Sequence, residues 1–219
     1  SIHGAISGVL ECLKQSHRAG NNKRGRACYA LFYDMSKAYD TVRWSSIQRA
    51  LVRLGAPDDL IDFVMRSLRG SKVRMKTNIK GRTTPVVQMH SAIKQGCPLA
   101  PLLFTIIMDE LHRGYRCIDK AGYEVDKKSR ISSRGYCDDT VILAQDMDTL
   151  SAMHEYTLDF FNQHGFRVNA SKTHLIGRNR DGTVNTRSLT GRMKVPARPE
   201  GHTVRYLGIH FNMDLTWGK

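Results

Sequence analysis

The sequence contains no long apolar run, no internal repeat and no low-complexity segment. No stretch approaches the roughly 20 consecutive apolar residues that a membrane-spanning helix requires, so we expect no membrane partner. The N-terminus lacks the basic and then apolar segments of a signal peptide. We therefore expect an intracellular protein that is not secreted, and a nuclear one if its source is a eukaryote. An initiator methionine is also missing, which predicts a processed chain or an excised piece.

Cysteine pairs with metal-binding spacing are absent as well. The five cysteines are scattered along the chain, and none belongs to a C-x-x-C pair or to a Cys/His cluster with the spacing of zinc ligands. We interpret the cysteines as reduced, mostly buried thiols, and their spacing argues against zinc. The nine histidines show no ligand spacing either, and we interpret them as ordinary residues.

Positive charge is abundant. The chain has 34 Lys and Arg against 20 Asp and Glu, a formal net charge of +14 and a pI near 9.8. The basic residues recur in segments 14–26, 66–82 and 178–205. A solvated basic surface that only serves solubility is one interpretation. A charge balance this uneven favours nucleic acid as the partner, and no basic amphipathic helix points to anionic lipid.

The chain is long enough to bury a core, and its apolar share of 41% is that of a folded protein, in one domain or two lobes. Apolar periodicity predicts helices over 2–18 and 147–164 and a central strand over 27–33. Segment 72–89 reads as a basic hairpin, and segment 178–201 as a long surface excursion. Because strands and helices do not alternate regularly, the pattern favours an α+β fold with helices packed on one face of a sheet.

Three aspartates are placed at the ends of predicted strands. Asp138 and Asp139 are adjacent and interrupt a pair of strand-like segments, and Asp34 ends the strand at 27–33. Asp-Asp is ordinary turn chemistry, and adjacent carboxylates are also typical of a cation site; both interpretations fit these residues. If the strands are neighbours, three carboxylates converge in a cluster suited to Mg²⁺.

Five blocks in order along residues 27–211 resemble the motifs of the reverse transcriptase palm. The similarity is greatest to the non-LTR (LINE-like) retrotransposon enzymes, with group II intron enzymes next. The blocks are Phe32–Asp40, Gln95–Phe104, the Tyr136-Cys137-Asp138-Asp139 box, Gly165–Asn169 with Lys172-Thr173, and Tyr206-Leu207-Gly208.

The resemblance implies a polymerase palm, an α+β fold with a ferredoxin-like antiparallel sheet and helices on one face, plus partial fingers. Residues 1–26 would then be a remnant of the fingers. The palm would span 27–211 with a fingers-like insertion at about 55–95, and 212–219 would begin the connection to a thumb. Further fingers would precede Ser1, and the thumb would follow Lys219.

The resemblance also implies an RNA-directed DNA polymerase that uses an RNA template, a DNA primer, dNTPs and two Mg²⁺ ions, with Mn²⁺ as a possible substitute. Asp34, Asp138 and Asp139 would hold the metals, and Tyr136 would pack beneath them. Lys172 would donate a proton to pyrophosphate, and Tyr39 would block the ribose 2′-OH. Gln95 and Gly96 would contact the nucleotide and the template. The primer would be contacted by Tyr206, Leu207 and Gly208.

Purely structural roles for two of these residues, and other functions for the chain, are also consistent with the sequence. Without the motif, Tyr39 is better interpreted as a core aromatic, and Lys172 fits a surface lysine in a turn equally well. A catalytically silent RNA-binding relative, a truncated remnant or an RNA-dependent RNA polymerase is the alternative to the active enzyme.

Overall fold

A computed structural model describes residues 1–20, 26–79 and 81–212 of the chain. The helices are α1 Ile2–Gly20, α2 Ala38–Thr41, α3 Trp44–Arg53, α4 Asp58–Arg69, α5 Ala100–Gly114 and α6 Met147–His164. The strands are β1 Cys28–Tyr33, β2 Lys72–Val73, β3 Val87–Gln88, β4 Tyr123–Asp126, β5 Ser129–Ile131, β6 Ser133–Tyr136, β7 Asp139–Ala144, β8 His174–Arg178, β9 Val204–Tyr206 and β10 Ile209–Phe211.

The centre of the fold is a four-stranded antiparallel sheet with strand order β6-β7-β1-β8. All six residues of β1 are buried, as its aromatic and apolar composition predicts for a strand between two neighbours. The other three sheets have two strands each. Helices and antiparallel strands therefore form the predicted α+β fold.

The two faces of β1 contribute to different cores because side chains alternate along a strand. Tyr29, Leu31 and Tyr33 belong to a large cluster with apolar residues of α3, α4, α5 and α6. Cys28, Ala30 and Phe32 belong to a second cluster with α1 and with the β9–β10 hairpin. The first face carries α3, α4, α5 and α6, whereas α1, which the sequence also predicts, lies on the other face.

Local signals define the helix next to the sheet. α6 begins after Asp146, whose carboxylate accepts a hydrogen bond from the Thr149 backbone N–H at 2.7 Å, and ends at Gly165 with φ of 85°. An N-cap acceptor is a usual start signal of a helix and a left-handed glycine a usual stop signal, and the predicted bounds of 147–164 are confirmed. None of the described helices is long and apolar enough to cross a bilayer.

Segment 178–201 is more than the surface excursion that the sequence predicts. It buries Leu189 and Val195, and the Arg192 guanidinium binds both Glu155 and Asp159 on α6. The weak apolar pattern of the segment concealed this packing, since only isolated residues enter the core. The hairpin of segment 72–89 does form, but its β2–β3 ladder holds two residue pairs.

A buried histidine connects segment 178–201 to the central strand β1. His154 Nδ1 lies 2.8 Å from the Tyr33 hydroxyl, and its Nε2 lies 3.0 Å from the Met193 carbonyl oxygen. Because a carbonyl only accepts, Nε2 carries the proton and Nδ1 accepts from Tyr33. The network ties the last residue of β1 to α6.

Candidate active site

Two of the predicted carboxylates lie side by side at one end of the central sheet. The β1–β7 register pairs Tyr33 with Thr140, so the next positions, Asp34 and Asp139, oppose each other across the two strands. Side chains two positions apart share a face of a strand, so Asp34 lies on the face of Phe32 and Asp139 on the face of Val141. That face carries α1 and the β9–β10 hairpin. The strand pairing therefore brings together residues that are about a hundred positions apart in sequence.

The third carboxylate belongs to a tight turn. Tyr136 pairs with Asp139, so Cys137 and Asp138 are the two central residues of the β6–β7 hairpin. Cys137 has φ of 54°, in the left-handed region that costs a non-glycine residue about 1–3 kcal/mol. The turn interpretation of Asp-Asp is therefore correct for Asp138, whereas Asp139 is already part of β7.

Burial and like charge act together on Asp139. Its pKa is raised above the ordinary value, first by burial and then by the negative charges of Asp138 and Asp34, and the guanidinium of Arg205 opposes the shift. An ionised Asp139 is therefore poorly compensated by the protein itself. A divalent cation beside it would supply the missing positive charge.

The donor chemistry fits Mg²⁺. This ion uses one or two carboxylates together with substrate phosphates rather than an all-protein cage, and Asp34 with Asp139 supplies such a pair. Within residues 1–20, 26–79 and 81–212, no group of three or more His, Cys, Asp and Glu side chains is arranged to hold an ion. The ligand set of Asp34, Asp138 and Asp139 stays a prediction.

A cavity of about 420 Å³ opens beside the facing carboxylates. Its lining includes six residues that the sequence predicts for the site: Asp34, Asp139, Lys172, Tyr206, Leu207 and Gly208. Leu207 and Gly208 form the β9–β10 turn with φ of 51° and 80°, as a type I′ turn requires. Lys172 is exposed and ends a short 3₁₀ helix before β8.

Tyr39 lies on the other side of the β6–β7 turn. Its ring stacks on Phe104 of α5, with centroids 4.9 Å apart and an interplanar angle of 20°. Burial, a hydrogen bond to Cys137 and the nearby charge of Asp138 raise the pKa of its phenol. Tyr39 is half-buried, so part of this packed aromatic side chain stays accessible next to the β6–β7 turn.

Gln95 and Gly96 do not line the cavity with the carboxylates. They are exposed in the loop before α5, and the Ile93 N–H donates to the Tyr39 carbonyl oxygen at 2.8 Å, which fixes this loop beside Tyr39. Gly96 has φ of 85°, and no atom lies within 4 Å of the position that a Cβ would take. The open backbone at Gly96 fits the predicted close approach of a ligand.

One expectation about this site is wrong, and two residues were missed. Tyr136 does not pack beneath the carboxylates but is 42% exposed, because its side chain at the end of β6 lies outside both cores. Arg205 and His174 line the cavity although the sequence assigned them no role. Arg205 directly precedes the Tyr206 block and His174 follows Lys172-Thr173, so their positions in the motifs were the available signal.

Comparison with known families decides the relationship of the chain. The sequence model described as reverse transcriptase (RNA-dependent DNA polymerase) matches residues 3–211, nearly the whole chain. The chain belongs to the reverse transcriptase family. The resemblance inferred from the five blocks is thereby confirmed, and members of this family are nucleotidyltransferases.

Similar proteins place this reverse transcriptase near one group of mobile elements. It is 29% identical over 205 residues to the retrovirus-related Pol polyprotein of the type-2 retrotransposable element R2DM of Drosophila melanogaster, covering 91% of this chain. It is 28% identical over 198 residues to that of a type-1 element R2 of Popillia japonica, covering 86% of this chain. The match spans only 18% and 32% of those two relatives, respectively.

Solved telomerases share the fold. Apo telomerase from Candida tropicalis matches with a TM-score of 0.64 at 14% identity, over 97% of this chain and 34% of that one. Telomerase from Candida albicans, in complex with a TWJ fragment of telomeric RNA, matches with a TM-score of 0.62 at 15% identity, over 94% and 33%. The predicted α+β polymerase palm is confirmed at the level of the fold.

Proposed function

We propose that this chain carries the catalytic centre of an RNA-directed DNA polymerase of an R2-like non-LTR retrotransposon. It would transfer deoxynucleotides to a primer 3′-OH under the direction of an RNA template. The facing pair Asp34 and Asp139, in one cavity with the Tyr206-Leu207-Gly208 turn, is the observation that carries the proposal. We also propose an intracellular location, nuclear in a eukaryotic host.

Asp34 and Asp139, with Asp138 in the adjoining turn, would hold two Mg²⁺ ions, for which Mn²⁺ is the expected substitute. When bound, such ions stabilise both the attacking and the leaving oxygens of an in-line phosphoryl displacement. The turn at Leu207 and Gly208 would position the primer end, because its open backbone borders the same cavity. Lys172 lies in that cavity and would donate a proton to the departing pyrophosphate.

Tyr39 would select the sugar. Its ring is held by Phe104, so it resists displacement by a bulkier ribose, and its half-buried position leaves an edge for the nucleotide. Gln95 and Gly96 would contact the incoming nucleotide and the template from the neighbouring loop. A rigid ring beneath the sugar excludes the ribose 2′-OH by steric overlap, which favours deoxynucleotides.

The charge of the chain supports a nucleic-acid substrate. A net charge of +14 attracts a polyanion, and Lys72, Arg74 and Lys76 alternate along the exposed hairpin of segment 72–89. The similar Candida albicans telomerase was solved with an RNA fragment. An RNA–DNA hybrid is therefore the ligand that we propose.

The deciding experiment is primer extension on an RNA template with dNTPs and Mg²⁺. We expect the parent chain to extend the primer and the Asp138→Ala, Asp139→Ala variant to lose extension, since it removes two metal ligands at once. Asp119→Asn is the matched control, because Asp119 is 91% exposed and outside the cavity, and it should extend like the parent.

Binding separates two kinds of failure. If the parent binds the hybrid but extends no primer, the chain is a silent RNA-binding relative and the catalytic proposal for it is wrong. Absence of both binding and extension would reject the nucleic-acid part as well.

A further inference from the structure

His174 is held in one orientation at the rim of the carboxylate cavity. It pairs with Phe32 in the β1–β8 ladder, so its side chain lies on the same sheet face as Asp34. The ring of His202 packs against it at 5.4 Å between centroids, with an interplanar angle of 60°. His174 lines the cavity together with Lys172 and Arg205.

One hydrogen bond determines which nitrogen of His174 carries the proton. Arg198 Nε donates to His174 Nδ1 at 3.1 Å. Arginine is always protonated and offers no acceptor, so Nδ1 must present its lone pair and the proton of the neutral ring must sit on Nε2. Burial, Arg198 and His202 lower the pKa of His174, in agreement with a neutral ring.

Arg198 is itself fixed relative to the sheet. Its backbone N–H donates to the Leu175 carbonyl oxygen at 2.9 Å, next to His174 on β8. The guanidinium therefore reaches the imidazole from a loop attached to the same strand. No described residue accepts a hydrogen bond from His174 Nε2, and this nitrogen is not among the buried polar atoms that lack a partner. The Nε2–H group is therefore an unused donor on a residue that lines the cavity.

We propose that His174 binds a phosphate group of the nucleic-acid substrate through its Nε2–H. The inference rests on the proposed function. Phosphate is the ligand that matches the surroundings: the donor lies in a cavity with the cations Lys172 and Arg205, and two carboxylates that attract divalent ions border the same space. A neutral N–H donor would orient the phosphate without adding another positive charge to the cavity. The phosphate belongs either to the bound hybrid or to the incoming nucleotide.

The tautomer is tested directly on the parent chain. Histidine-selective ¹⁵N labelling with long-range ¹H–¹⁵N spectra distinguishes a protonated Nε2 from a protonated Nδ1, and the signal lost in His174→Phe assigns the residue. We expect the Nε2–H form and a shift of the Nε2 resonance when the RNA–DNA hybrid is added. An Nδ1–H form, or a resonance that the hybrid and dNTP leave in place, would overturn the proposal.

Affinity identifies the source of the phosphate. Fluorescence anisotropy of a labelled hybrid compares the parent with His174→Phe and with His3→Phe, a control at an exposed histidine of α1 that does not line the cavity. Loss of a hydrogen bond to a charged group should weaken the hybrid about tenfold in His174→Phe, with the control unchanged. His174→Gln retains an N–H donor and should recover most of the affinity. Arg198→Leu should leave the ring in place but mix its tautomers.

The remaining outcomes are distinct. In one outcome, His174→Phe binds the hybrid as tightly as the parent does but binds dNTP about tenfold more weakly in a complex with a dideoxy-terminated primer. The phosphate then belongs to the nucleotide. If the parent binds both ligands and His174→Phe binds them equally well, the inference is wrong and the proposed function stands. If the parent binds neither, the proposed function fails, and the inference fails with it.

Discussion

Replacing Asp139 by asparagine should stabilise the fold while it removes one of the proposed metal ligands. Asp139 at the start of β7 lies opposite Asp34, which directly follows β1, and side chains at opposed positions are about 5 Å apart. Two unit charges at that distance repel by about 3 kcal/mol at an effective dielectric constant of 20 and by about 1 kcal/mol in water. Because Asp139 is partly exposed and Arg205 offsets some of the repulsion, we expect about 1 kcal/mol.

The pH dependence has a definite sign. The pKa of Asp139 is raised above its ordinary value of 3.8. In acid Asp139 is protonated and does not repel Asp34. As the pH rises through the shifted pKa, Asp139 ionises and the folded parent loses stability. The advantage of Asp139→Asn over the parent should therefore be small near the ordinary pKa and should grow toward neutral pH. For a chain of this length, 1 kcal/mol raises Tm by about 2–4 °C.

Thermal unfolding across this pH range, with and without Mn²⁺, measures both effects. Mn²⁺ should raise the Tm of the parent and leave that of Asp139→Asn nearly unchanged, because a ligand stabilises only the folded form that binds it. Asp119→Asn makes the same charge change at an exposed site and should shift Tm very little. A lower Tm for Asp139→Asn in metal-free buffer at neutral pH would contradict this expectation, since it would show that the Asp139 charge is compensated within the protein.

Three further predictions concern the sugar, the charge and the core. Tyr39→Val should reduce discrimination against ribonucleotides by about 10–100-fold in single-nucleotide incorporation, and unchanged discrimination would return Tyr39 to a packing role. Replacing Lys72, Arg74 and Lys76 together by glutamine should lower the salt slope of hybrid binding by about 2–3 units, whereas an unchanged slope would exclude the hairpin from the interface. His154→Phe loses two buried hydrogen bonds and should cost about 2 kcal/mol in chemical unfolding; a variant as stable as the parent would contradict the assigned network.

The sequence alone was enough to predict several of the elements and the family. Apolar runs and helical periodicity predicted β1 and α6, since these signals depend on neighbouring residues that pack on one face. Five ordered blocks were enough to indicate a reverse transcriptase palm. Segment 178–201 escaped this reasoning because its few buried residues follow no period.

Which side chains share the site depends on contacts between segments that are far apart in the chain. The convergence of Asp34 and Asp139 depends on the β1–β7 register, which couples residues far apart in the chain and is set by both packed faces of the sheet. Arg205 and His174 became site residues through strand pairing and a returning hairpin. Periodicity along a strand states which residues share its face, whereas the identity and register of its neighbours follow from long-range packing that no local pattern records.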